Sequence, residues 1–195
     1  MLQYSKGDEM NLYVMRHGQT DWNKEKKLQG RVDVPLNKTG LQQAEEAREV
    51  LGNIPIDVIV CSPMQRTRQT VEILNRGRGI PVIYDERIVE RGFGPMEGKT
   101  PHDFDFRAFW DYDQNIKLGD AEKIQDLFKR VYDFLDEAKT KYENENVLLI
   151  THGAATIPIY CYYKGEIPKG TLLDELGLAK NCEIVEFRAA TAENK

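Results

Sequence analysis

The chain is short of the features that announce several common protein classes. It has only three cysteines, Cys61, Cys161 and Cys182, which are far apart, odd in number and in no C-x-x-C pair. That excludes a zinc knuckle or a disulfide framework and fits a reducing cytoplasm, with each cysteine expected as a small buried hydrophobe. No apolar run approaches membrane-spanning length, and residues 1–10 lack the apolar core of a signal peptide, so a soluble cytoplasmic chain without a membrane partner is expected. Basic charge is not in excess: the net charge of −5 argues against a general nucleic-acid binder, while leaving room for a small positive pocket. Internal repeats, low-complexity segments, a convincing linker and metal-ligand spacings are likewise missing. What is present, 41% hydrophobic and 30% charged residues in a chain of 195, describes an ordinary globular protein of one domain.

That domain is expected over residues 11–188, between a poorly structured segment 1–10, where Met10 is an alternative start, and a frayed tail 189–195. Residues 11–15 read as a buried strand. The polar, turn-rich stretch 18–37 reads as a long loop, and loops of that length in compact domains are usually functional. Thr39 opens a helix with Gln42 as capping-box partner; Leu41, Ala44, Ala47 and Leu51 share its apolar face and Gly52 ends it. Residues 57–61 form the second strand. Ser62-Pro63-Met64-Gln65 reads as a helix start, with Ser62 as N-cap, proline at the first helical position and Gln65 closing the box. Thr67, Thr70, Val71 and Leu74 point inward from that helix. A short strand at 81–84 leads into the glycine-punctuated loop 90–98. Residues 99–118 mix aromatics with charge and read as a cap with a short helix. A helix over 120–142 holds Ile124, Leu127, Phe128, Val131, Leu135 and Ala138 on one face. A strand at 147–151, a helix at 154–164 and a strand at 182–187 complete the chain. Strands alternating with helices imply a three-layer α/β/α sandwich around a mostly parallel sheet.

In such sheets ligands bind beyond the carboxyl ends of the strands. Three strands end in chemically loaded turns: Arg16-His17-Gly18, Ser62-Pro63 with Arg66 a turn later, and His152-Gly153. An arginine in the first turn of a helix adds to the anion preference of the free N–H groups there. Arg68, two residues on, points to nearly the opposite side. Two arginines, two histidines and Glu90 suit a phosphoryl group: cations neutralise its oxygens, one imidazole attacks phosphorus and a carboxylic acid protonates the leaving oxygen. Taken singly, each residue has a plainer reading. His17 alone would be a satisfied structural histidine, and Arg66 would decorate a helix. Glu97 competes with Glu90 but sits beside Gly98 as a turn residue. Asp85 and Glu86 read as solvated, and His102 as a surface residue of the cap.

Arg16-His17-Gly18-Gln19-Thr20-Asp21-Trp22-Asn23 resembles the R-H-G signature of the histidine phosphatase superfamily, which includes cofactor-dependent phosphoglycerate mutases. The resemblance continues through Leu28 to Asn37, Gly40, Cys61 to Thr67, Glu90 to Gly98 and Thr151-His152-Gly153. Weaker echoes stand at Glu122, Asp126, Arg130-Val131 and Asn181. It implies the phosphoglycerate mutase-like fold with a short cap, and a phosphohistidine formed on His17. Arg16, Arg66 and His152 would hold phosphoryl oxygens, and Glu90 would be the proton donor. Asn23, Gln29, Gly30 and Gly153 would line the phosphate pocket, and Arg91 would meet the substrate. No metal and no cofactor is implied; the partner is a small phosphorylated metabolite, with a homodimer left open. Within the family, Glu90-Arg91 follows the mutase pattern, whereas Phe93, Pro101, the single Arg107 of the cap and Ala154 after His152-Gly153 depart from it. Hydrolysis of a small phosphomonoester is therefore the first expectation. A mutase-type phosphotransferase is the alternative, and a phosphate-binding module without turnover stands behind both.

Overall fold

The computed structural model describes residues 10–172 and 179–187. The expectations for the N-terminal segment, Met10 excepted, and for the tail 189–195 lie outside them. Met10 itself is buried in the core, one residue before the expected boundary of the domain.

Among the described residues, five strands form one sheet: β1 (Asn11–Arg16), β2 (Val58–Cys61), β3 (Val82–Tyr84), β4 (Asn146–Thr151) and β5 (Ile184–Phe187). Their order is β3-β2-β4-β1-β5. All pairs are parallel except β1 with β5, which run antiparallel. The three central strands, β2, β4 and β1, are apolar on both faces, as a sheet covered on both sides requires. Leu12 and Val14 of β1, Val58 and Val60 of β2, and Val147 and Leu149 of β4 enter one core. The alternate residues Tyr13, Met15, Ile59, Cys61, Leu148 and Ile150 enter the other. The first core is closed by α5 (Ile124–Lys141), α6 (Gly153–Lys164) and the cap aromatics. The second lies under α2 (Lys38–Leu51) and α3 (Gln65–Leu74).

The helix boundaries show where local signals were outcompeted. The loop after β1 contains a short helix, α1 (Asp21–Lys24), closed by a capping box between Thr20 and Asn23. Helix α2 is capped not by Thr39 and Gln42 but by Asn37, whose side chain accepts from Gly40 N. Leu41, expected inward, is exposed, and Gly40 packs in its place. Helix α3 begins only at Gln65, with Met64 at the cap position and no side-chain cap. Ser62 does not cap it, because its hydroxyl bonds His152. Helix α5 starts at Ile124, the first residue of its apolar pattern and four residues after the expected bound of 120. Strand β5 starts at Ile184 because Cys182 turns the backbone at φ +57°, and Cys182 is half-buried while Cys61 and Cys161 are buried. The cap carries one short helix, α4 (Phe106–Phe109), and Phe109 and Trp110 are buried in the core. Asp85 is not solvated: its carboxylate caps the following turn and pairs with Arg87 at 2.6 Å.

Candidate active site

The end of β1 is held from both sides. On the β4 side, His17 N donates to Thr151 O at 3.0 Å. On the β5 side, Cys182 N donates to Arg16 O at 2.9 Å, and Asn181 Nδ2 to His17 O at 2.7 Å. Gly18 then turns the chain against the start of α2, where an added Cβ would stand 2.5 Å from Gly40 O. Its N–H is taken by Thr70 Oγ1 at 3.1 Å. The buried His17 ring lies 2.7 Å through Nδ1 from its neighbour's carbonyl, Gly18 O. A carbonyl only accepts, so Nδ1 carries the proton and Nε2 keeps its lone pair. Burial, then the charges of Arg66 and Arg16, hold the ring well below the ordinary imidazole range, so it is a free base.

Arg66 is buried and every nitrogen of its guanidinium is engaged. Nε donates to His152 Nδ1 at 3.1 Å, Nη1 to Val32 O at 3.0 Å and Nη2 to Gly30 O at 2.9 Å. It therefore pegs the loop after α1 as well as charging the site. Two N–H groups, one on each terminal nitrogen, remain for an anion. Desolvation pulls Arg66 down to about 10, against the raising influence of Glu90, and it stays charged at neutral pH. His152 Nε2 lies 2.7 Å from Ser62 Oγ, and its ring centroid is 5.2 Å from that of His17. Arg16 donates from Nη1 to Ala179 O at 3.0 Å, while its buried Nε has no partner among the described residues.

Two glycines make this approach possible. At Gly153 a Cβ would meet the Arg16 guanidinium carbon at 3.3 Å. Gly30 sits at φ +52°, and a Cβ there would run into the Glu97 carboxylate. That carboxylate is not in the acid position: Oε1 accepts from Arg31 N and Phe93 N, and so braces the loop.

Glu90 is the buried acid. Its Oε1 accepts from Arg91 N and from Ala154 N at the start of α6, both at 3.0 Å. Oε2 takes no hydrogen bond among the described residues. Burial raises its pKa against the opposing pull of Arg66 and Arg16, which favours the protonated form. Two cationic guanidiniums facing one such carboxyl and two neutral imidazoles make a positive pocket in an acidic protein. Neither arginine is salt-bridged to a carboxylate among the described residues.

The remaining expected residues fall in different places. Gln29 is buried and its Oε1 has no partner among the described residues, consistent with a pocket wall. Asn23 spends Oδ1 on Thr20 N and Oγ1 in the capping box of α1. Arg91 turns into the cap: Nε donates to Glu122 O, Nη1 to Phe109 O, and the guanidinium stacks 3.8 Å from the Phe109 ring centre. His102 is exposed. Sequence reasoning missed Ser62 and Thr70 as supports, and Asn181 stood only as a weak echo of the family pattern. The helix-start pattern hides the role of Ser62, while Thr70 and Asn181 hold backbone atoms, which no chemical motif signals.

The family model for the histidine phosphatase superfamily (branch 1) matches residues 12–194. The chain is 35% identical over 156 residues to PhoE, an uncharacterized phosphatase of Bacillus subtilis (strain 168), covering 80% of this chain and 78% of that one. It is 31% identical to a probable phosphoglycerate mutase, GpmB, of Salmonella arizonae, over 75% of this chain and 71% of that protein. Among solved structures, Bacillus stearothermophilus YhfR superposes with a TM-score of 0.83 at 28% identity, covering 94% of this chain and 96% of that one. No helix among the described residues is long and apolar enough to cross a membrane. Strand order, paired histidine turns and sequence similarity converge: this chain belongs to branch 1 of the histidine phosphatase superfamily.

Proposed function

We propose that the protein is a metal-independent phosphatase that hydrolyses a small phosphomonoester through a phosphohistidine on His17. The observation that carries this reading is the His17–Gly18 hydrogen bond, which fixes Nε2 as an unprotonated nucleophile beside two arginines. Nε2 attacks phosphorus, and the bond from phosphorus to the ester oxygen breaks. The leaving oxygen takes the proton of Glu90, so an alcohol departs and Glu90 becomes a carboxylate. Water then attacks the phosphohistidine, gives its proton to Glu90 and releases inorganic phosphate with His17 restored. Arg16 and the two spare N–H groups of Arg66 neutralise the oxygens in both steps. His152, with both ring nitrogens bonded to protein, contributes by aiming Arg66.

Hydrolysis is preferred over mutase chemistry because the cap is slight. It offers Arg107 alone where mutases pair arginines, and Phe93 is packed among aromatics. The test is release of inorganic phosphate from a panel of phosphometabolites, with and without EDTA, together with trapping of an acid-labile phosphoenzyme. Turnover that survives the chelator and is abolished with the phosphoenzyme in His17→Ala is expected. Efficient transfer between the hydroxyls of phosphoglycerate without phosphate release would favour the mutase reading.

A further inference from the structure

Glu122 and Arg130 touch neither histidine, yet they are tied to the segment that carries the acid. Arg130 grips both carboxylate oxygens of Glu122, Nε to Oε1 at 2.6 Å and Nη2 to Oε2 at 3.0 Å. The same guanidinium donates from Nη1 to Arg87 O at 2.6 Å and from Nη2 to Glu90 O at 3.2 Å. Glu122 Oε2 also accepts from Gly92 N at 3.1 Å. The main chain of Glu122 adds two more bonds, its N–H to Gly92 O at 2.8 Å and its carbonyl from Arg91 Nε at 2.9 Å. The side chains of the pair thus hold the main chain at residues 87, 90 and 92, and the Glu122 main chain adds bonds to Arg91 and Gly92. Both side chains are largely buried, at 17% and 15% exposure, where a bidentate fork holds one geometry.

We propose that the Glu122–Arg130 pair is the positioning device for Glu90, fixing the main chain on both sides of the acid so that Oε2 is presented to the leaving oxygen. This rests on the hydrolytic reading above, in which Glu90 is the proton donor. Oε1 is already anchored by Arg91 N and Ala154 N, so the direction of Oε2 depends on where the backbone of residues 90–92 stands. The pair sets that backbone from the α5 side. Arg31 approaches Glu122 Oε2 at 3.6 Å, which links the acid segment to the loop pegged by Arg66. The Arg130 charge also acts on Glu90 and His152, lowering both.

An ion pair that merely stabilised the fold would affect all substrates alike, whereas one that aims the acid matters only where the leaving group needs a proton. The experiment compares kcat/KM for p-nitrophenyl phosphate, whose leaving group departs unprotonated, with kcat/KM for a simple alkyl phosphate. Arg130→Met, Arg130→Lys and Glu122→Gln are measured beside Glu90→Gln as reference. A positioned acid contributes roughly 10²–10⁴-fold, so each variant is expected to lose on the order of 10-fold or more in the alkyl-to-aryl ratio, in the same direction as Glu90→Gln. Lysine keeps the charge but not the fork, and should fall between wild type and methionine. Misfolded protein lowers both rates equally and cancels in the ratio, so a variant with poor yield still reports. An unchanged ratio in the Arg130 and Glu122 variants would overturn the proposal. A wild-type enzyme that forms no phosphohistidine would instead sink the underlying functional reading, and an unselective Glu90→Gln would sink the acid assignment.

Discussion

Arg66 donates from Nε to Nδ1 of His152 at 3.1 Å. A guanidinium has no acceptor, so the imidazole proton must sit on Nε2, where it is donated to Ser62 Oγ at 2.7 Å. His152 is therefore neutral, in keeping with the strong lowering that burial and then Arg66 impose on it. The pocket draws its positive charge from arginines alone, and the second histidine orients one of them.

Arg66→Lys keeps the charge and loses the fork that reaches Gly30 O, Val32 O and His152. Removing a preorganised donor from an anion-stabilising site costs on the order of 10²–10³-fold, and kcat/KM should fall by that much. Amide hydrogen exchange of residues 30–33 should rise at the same time. Wild-type protection of that loop in the variant would refute the pegging role.

The pH dependence of kcat/KM should be bell-shaped. His17 must be neutral, and its lowered pKa places the rising limb below the ordinary imidazole value of 6.5. Glu90 must be protonated, and its raised pKa places the falling limb above the ordinary carboxylate value of 4.5. In Glu90→Gln the falling limb should disappear while the rising limb stays. A falling limb that persists unchanged would assign it to another group.

Stability should carry its own pH signature. His17 folds with its pKa depressed, so the unfolded chain binds more protons once pH drops below 6.5, and stability is lost as pH falls from there toward the folded value. Glu90, raised on folding, acts oppositely, losing stability as pH climbs above 4.5. The contrast between proteins isolates the histidine: between pH 7 and 5 the urea midpoint of wild type should drop more than that of His17→Asn. Parallel curves would contradict the buried free-base state.

The gathering of Arg16-His17, Arg66, Glu90 and His152 was legible in the sequence, because their motifs stand in the turns and helix starts that follow the parallel strands, and the fold brings those turns to one edge of the sheet. The sheet was legible too, since β1 and β4 are apolar runs with no competing pattern. What escaped was support. Ser62 carries every local mark of an N-cap, yet a tertiary bond to His152 takes its hydroxyl and α3 starts at Gln65. Thr39 and Gln42 likewise match a capping box, but Asn37 is better placed once Gly40 is pressed against Gln19. Arg91 reads as a substrate residue from its place beside the acid, while its guanidinium is stacked on Phe109, a contact no spacing rule reaches.

Thr70 offers a test of that hidden support. Its Oγ1 accepts from Gly18 N at 3.1 Å and donates to Arg66 O at 2.8 Å. Thr70→Val leaves the buried Gly18 donor unpaired and should cost about 1–3 kcal/mol in urea unfolding, with Thr70→Ser close to wild type. Equal stability of the valine and serine variants would show that Gly18 finds another acceptor.

Strand β1 carries the nucleophile and is made first, but both strands that flank it come from far downstream. Asn11 is paired with Asn146, and Tyr13 with Glu186. A nascent chain therefore has no finished centre until residue 187 has left the ribosome, and Arg16-His17 must wait through nearly the whole of synthesis as an unpaired apolar strand. Contacts of such long sequence separation are slow to close and expose strand edges meanwhile. The arrangement that makes the pocket rigid also makes the protein dependent on shelter while it is being built, and truncation before β5 should yield an aggregating chain rather than a weakened enzyme.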